Sequence, residues 1–243
     1  MAIYVVSDLH GQNKVFKKGL QVIDFKKEDQ LYVIGDAVDR GPDGVEILKR
    51  IMQSENMDLL LGNHEFMMLN SVDRSGKACC NGESTELWLY YNGGEETFER
   101  YERLSDEERK ELLVWLDGRL LIKTLEVGGK QICLTHSYYI PQCENKPFSE
   151  MKHERCAWEI VWKSMYRSGS THCRDVYSKY DYTFITGHVP VQRLNPEDKI
   201  FAPYIRGNVY DIDGGCAFGD YDGIEHGAIF LRLDDMKEFC VEM

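Results

Sequence analysis

The chain is expected to fold as an α/β protein in which two mixed β-sheets pack face to face with helices outside. Three observations predict it. Runs rich in β-branched residues alternate with helical periodicity through the first third, which implies parallel strands joined by right-handed crossovers. The last third returns to strand-like runs. Between them lie two charged, helix-patterned stretches, near residues 71–118 and 138–180, which read as insertions. No internal repeat, low-complexity tract or linker divides residues 1–243, so a single domain is the expectation.

In order, "AIYVVSD" is the first strand, followed by a helix with Phe16, Leu20 and Ile23 at helical spacing. "QLYVIGD" is the second strand, and "PDGVEILKRIMQ" a helix opened by Pro42 near its first turn. "MDLLLGN" is the third strand. "SDEERKELLVWLDG" carries Ser105 as N-cap, Glu108 completing a capping box, and Gly118 as a stop. "LLIKTLE" and "QICLTHS" flank a "VGGK" turn as a hairpin. "HERCAWEIVWKSMY" is helical, and "YTFITGHV", "NVYDIDGG", "GAIFLRL" and "EFCVEM" complete the strands.

The composition excludes some functions. Hydrophobic residues at 43% and aromatics at 12% suffice for a substantial core. A net charge of −12 argues against sequence-independent nucleic-acid binding, which needs cations on phosphates. None of the eight cysteines forms a Cys-x-x-Cys pair, so neither structural zinc nor a disulfide framework is expected. "MAIYVVSDLHG" has no basic segment or long apolar run, and neither a signal peptide nor a membrane span is expected. A reducing cytoplasm with free thiols and a monomer are the expectations.

The strand ends carry the chemistry. They read "SDLHG" with Asp8 and His10, "GDAVDRG" with Asp36, Asp39 and Arg40, "GNHE" with Asn63 and His64, "THS" with His136, and "GHV" with His188. Open α/β sheets place ligands at such carboxyl ends. Singly, Asp36 is a turn residue and His136 a structural histidine; recurrence at five ends favours a site. A ligand set of two carboxylates, an amide and three imidazoles drawn from these residues suits manganese, iron or zinc better than calcium. Asp8 and His10, two apart, would face one side of extended backbone and hold one ion together. The donors outnumber the needs of one ion, and a two-metal site would share a carboxylate and a water that becomes the nucleophile. An arginine and a spare histidine would neutralise phosphoryl oxygens and protonate the leaving oxygen. His153 and His172 lack this strand-end context and are set aside.

"SDLHG", "GDAVDRGPD" and "GNHE", followed by His136 and His188 and by the late "DIDGGCAFG", resemble the calcineurin-like metallophosphoesterases. Within them the chain is similar to the bacterial and phage branch of the serine/threonine phosphoprotein phosphatases. The resemblance implies two divalent ions, manganese first and iron or zinc as alternatives. It implies that Asp8, His10 and Asp36 hold the first ion with Asp36 bridging, and that Asn63, His136 and His188 complete the second. His64 would be the general acid, oriented by Asp39, and Arg40 and His64 would contact the phosphate. One departure stands out: the phage-type enzymes carry a second phosphate-binding arginine just after a tryptophan, where this chain reads "VWKSMYRSG". Lys163 or Arg167 would have to replace it, as a point charge or from a different position.

The resemblance implies a phosphomonoesterase acting on phosphoserine or phosphothreonine by direct attack of metal-bound hydroxide. Its partner would be a phosphorylated protein or a small phosphorylated substrate. A symmetric dinucleoside polyphosphate hydrolase shares the metal motifs but tends to lack the aspartate at position 39, so "VDRGP" leans towards the protein phosphatases. A non-catalytic metal-binding scaffold is a third possibility, because a fold alone does not establish activity.

Overall fold

The computed structural model describes residues 1–151, 155–166, 177–197, 199–218 and 223–243. The strands are β1 (Ile3–Val6), β2 (Gln30–Ile34), β3 (Met57–Leu60), β4 (Ile122–Val127), β5 (Lys130–Thr135), β6 (Thr183–Thr186), β7 (Tyr204–Arg206), β8 (Val209–Asp211), β9 (Gly227–Arg232) and β10 (Lys237–Glu242). They form two five-stranded sheets, ordered β10-β9-β1-β2-β3 and β4-β5-β6-β8-β7. Both are mixed. β1, β2 and β3 run parallel, as do β5, β6 and β8, while β9, β10, β4 and β7 join antiparallel.

Strand alternation divides the core into layers. Val5, Ile34 and Leu60 of the first sheet cluster with Ile132, Leu134 and Ile185 of the second, forming the layer between the sheets. Their neighbours Val6, Val33 and Leu59 belong to the other cluster, with Phe16 and Leu20 of α1 (Asn13–Val22) and Ile47, Leu48 and Ile51 of α2 (Gly44–Met52). Each fully buried aliphatic side chain contributes about 1.5–3 kcal/mol, so these strands are fixed in register by both faces. No helix of the described residues is long and apolar enough to cross a membrane.

The remaining helical segments are α3 (Asn63–Leu69), a π-helical turn at Leu87–Tyr91, α4 (Glu95–Glu102), α5 (Asp106–Asp117), a 3-10 turn at Pro141–Cys143, α6 (Phe148–Met151), α7 (Arg155–Trp162) and α8 (Val191–Leu194). The Ser105–Glu108 capping box of α5 forms in both directions. The β4–β5 hairpin turns on Gly128 and Gly129, both at positive φ.

Two local expectations fail. Pro42 lies outside α2, whose N-cap is Asp43. Asp8 and His10 are not extended: β1 stops at Val6, and both residues have positive φ, 52° and 42°. The short strand β7 was not anticipated. His153, Arg167 and His172 lie outside the described residues.

Candidate dinuclear metal centre

The parallel strands of both sheets end on the same side of the molecule, and their next residues turn into one pocket. Six of these residues, Asp8, His10, Asp36, Asp39, Arg40 and His188, adopt the left-handed conformation. For a non-glycine residue this costs roughly 1–2 kcal/mol and needs support from its surroundings. Backbone bonds supply part of that support: Asp8 N–H donates to Gly35 O (3.1 Å), and His10 N–H to Asp36 O (2.8 Å). Glu65 supplies more. Its buried carboxylate accepts N–H bonds from Asp36 (2.9 Å), Ala37 (2.8 Å) and Gly62 (2.9 Å), tying the turn after β2 to the turn after β3.

Glycine is required where the candidate ligand carboxylates come close. A Cβ on Gly62 would lie 2.1 Å from Asp36 Oδ1, and one on Gly187 would lie 2.1 Å from Asp8 Oδ2. This explains why "LLLGNH" places a glycine where its core strand runs out.

The pocket has a volume of about 230 Å³, and its lining includes His10, Asp36, Arg40, Asn63, His64 and His188. Two groups of potential ligands meet in it: His10, Asp36 and His64 form one, and Asp36, His136 and His188 the other. Asp36 is common to both. Its Oδ2 lies 3.7 Å from His10 Nε2, 3.8 Å from His64 Nε2 and 3.5 Å from His136 Nε2. Asn63 Oδ1 lies between His136 Nε2 (3.0 Å) and His188 Nδ1 (2.9 Å). Asp8 Oδ1 lies 3.9 Å from His10 Nε2 and is buried without a hydrogen-bond partner among the described residues. An orphaned carboxylate oxygen within a convergent N/O donor set fits a pair of divalent cations.

The electrostatics agree with cation binding. Burial, reinforced by Asp8 and Glu65, pushes the Asp36 carboxyl well above the usual carboxylate range. Burial, and then the charges of His64 and Arg40, holds His10 well below the usual imidazole value, so its ring is neutral and available as a ligand. Burial also raises Asp213, which lines the pocket, with Asp8 the next cause. Adjacent buried carboxylates resist ionising together until a cation joins them.

His64 Nδ1 lies 2.7 Å from Asp39 Oδ2, leaving Nε2 towards the pocket, where Arg40 Nη2 approaches to 3.3 Å. Arg40 Nη1 lies 3.3 Å from His10 Nε2, so the guanidinium spans the two imidazoles. Lys163 is absent from the pocket lining; it pairs with Glu159 (2.7 Å) and lies over the Tyr138 ring.

The residues missed in the sequence are Glu65, Trp88 and Thr97, which support the pocket through hydrogen bonds, and Arg193, which lines it. The Trp88 indole donates to Asp39 Oδ2 (2.8 Å), and Thr97 Oγ1 accepts from Asp39 N–H (2.9 Å). Glu65 had a signal, an acidic residue two places after Asn63. Trp88 and Thr97 lie in the first insertion, without any local motif.

Comparison with known proteins agrees with this geometry. The curated relatives include the symmetrical bis(5'-nucleosyl)-tetraphosphatase of Acidovorax sp. (strain JS42), 30% identical over 144 residues, which cover 58% of this chain and 46% of that protein. The same enzyme of Buchnera aphidicola (strain Tuc7) is 25% identical over 73% of this chain and 57% of its own length. The chain thus spans about half the length of the curated relatives it matches. Solved structures sharing the fold include a cold-active protein-tyrosine phosphatase of Shewanella (TM-score 0.62, 15% identity, covering 98% of this chain and 80% of that one). A protein serine/threonine phosphatase of Saccharomyces cerevisiae also shares it (TM-score 0.61, 14% identity, 100% and 79%). The family profile for calcineurin-like phosphoesterases matches residues 1–217, nearly all of the region that builds the pocket, and the chain belongs to that family.

Proposed function

We propose that this chain hydrolyses phosphomonoesters at a pair of divalent metal ions, with phosphoserine and phosphothreonine as its first substrate class. The observation supporting a two-metal site is Asp36, the ligand common to both groups. Asp8, His10 and Asp36 would hold one ion, and Asn63, His136 and His188 with Asp36 the other. When bound, such a pair neutralises phosphoryl charge and makes a water acidic enough to act near neutral pH. Arg40 binds phosphoryl oxygens with its planar donor fork. His64, held by Asp39 through Nδ1, delivers a proton from Nε2 to the departing oxygen.

The His64–Asp39 pair favours the monoester. A serine alkoxide is a strong base and needs a proton to leave, whereas a nucleoside diphosphate is stable as an anion and needs little help. The curated relatives favour a second reading, hydrolysis of dinucleoside tetraphosphates, and they support it better than they support the first. Comparing kcat/KM for a phosphothreonine peptide and for diadenosine tetraphosphate, with manganese-loaded protein, separates the two. A higher value for the tetraphosphate would reverse their order.

A further inference from the structure

Among the described residues lining the pocket, two are arginines, Arg40 and Arg193. Arg40 stands beside the first ligand group, against His10 and His64. Arg193 lies on α8, five residues past His188 of the second group. Both are near enough to influence the buried carboxyl of Asp213.

The surroundings of Arg193 differ from those of an ordinary surface arginine. Arg74, Arg119, Arg155 and Arg232 each pair with a carboxylate. Arg193 has no carboxylate partner among the described residues. Its guanidinium lies over the Phe218 ring, 4.4 Å from the centroid, and Phe218 also lines the pocket. An aromatic face orients a guanidinium without occupying its N–H donors. The result is a held cation at the pocket wall that no carboxylate among the described residues pairs with. Lys163, the other described candidate for a second cation, is already occupied by Glu159.

We propose that Arg193, held on Phe218, is the second phosphate-binding cation of this site. It acts with Arg40 on the phosphoryl oxygens of the substrate and of the inorganic phosphate product. The two arginines reach the pocket from different parts of the chain, Arg40 from the turn after β2 and Arg193 from α8 after β6. They therefore fix the phosphate at two points and set its rotation relative to the metal ligands. This assignment rests on the phosphohydrolase reading above.

The probe is inorganic phosphate, titrated calorimetrically into manganese-loaded full-length protein whose metal content is checked for each variant. Arg193→Ala should weaken phosphate binding roughly 10- to 100-fold, with both metals retained, and Arg193→Lys should restore part of the loss. Phe218→Ala should weaken binding about 3-fold in the wild-type background and have no effect in the Arg193→Ala background, because the ring acts through the guanidinium. Phosphate bound equally by wild type and Arg193→Ala would overturn the assignment while leaving the phosphohydrolase reading intact. An equal effect of Phe218→Ala with and without Arg193 would overturn the holding role of the ring. A metal-loaded wild type that binds no phosphate and hydrolyses no ester would overturn both readings.

Discussion

The His64 Nδ1–Asp39 Oδ2 contact, 2.7 Å long and fully buried, fixes which nitrogen of His64 faces the pocket. The same carboxylate oxygen accepts the Trp88 indole at 2.8 Å, so Asp39 is held by an element of the first insertion. The 71–118 stretch thus reaches the site through bonds that include those of Trp88 and Thr97 to Asp39, and removing the Trp88 bond tests one of them.

Trp88→Phe keeps most of the buried ring and deletes the donor. It should cost about 1–2 kcal/mol of stability for a lost buried hydrogen bond, read by urea unfolding. It should lower kcat several-fold with metal content unchanged, because Asp39 then holds His64 less firmly. An unchanged kcat would show that the indole only packs.

Glu65 is buried beneath the ligand turns and touches no potential ligand atom directly; it acts through the backbone of Asp36 and Gly62. Glu65→Gln would face an amide donor towards N–H donors. We expect a loss of about 2–4 kcal/mol in stability and roughly 10- to 100-fold weaker metal binding. Activity should return at high metal concentration. Failure of excess metal to restore it would place Glu65 in the chemistry itself.

Much of this was legible in the sequence, and the rest was hidden for identifiable reasons. The parallel core of the first sheet followed from periodicity, because Val5, Ile34 and Leu60 and their neighbours are buried on both faces. The strand β7 is three residues long with Ile205 exposed, too short to carry an alternation. Asp8 and His10 were paired by an extended spacing, yet they meet through left-handed turns. Those turns are stabilised by bonds to the β2 loop, which no local pattern reveals. Trp88 and Thr97 reach Asp39 across 49 and 58 residues of chain, a separation that only the packed insertion closes. The candidate ligand residues stood out in the sequence because each follows a strand end, where few roles other than a turn compete.

Arg40→Ala should leave both metals in place and lower kcat/KM roughly 30- to 1,000-fold, the range for a lost charge-assisted phosphate contact. Steady-state kinetics with elemental analysis checks it. Loss of metal in this variant would mean that Arg40 organises His10 and His64 rather than the substrate.

Metal binding should release protons. The Asp36 and Asp213 carboxyls are raised by burial in the metal-free fold, so between the ordinary carboxylate value and their folded values the fold binds more protons than the unfolded chain. The stability of the metal-free protein should therefore fall as pH rises through that window. Cations must displace those protons, whereas His10 is already neutral. Titrating manganese into unbuffered apo protein within that window should acidify the solution, and Asp213→Asn should acidify it less. No release in the wild type would contradict these shifts.

The most direct test of the proposed reaction compares two leaving groups in one variant. His64→Asn, with both metals confirmed by elemental analysis, is assayed on a phosphoserine peptide and on p-nitrophenyl phosphate. If His64 protonates the leaving oxygen, the loss should reach several orders of magnitude on phosphoserine. It should be distinctly smaller on p-nitrophenyl phosphate, whose phenolate leaves readily without a proton. Asp39→Asn should show the same preference more weakly. Equal losses on both substrates, or loss of a metal ion from His64→Asn, would contradict the acid role and return His64 to the ligand group it forms with His10 and Asp36.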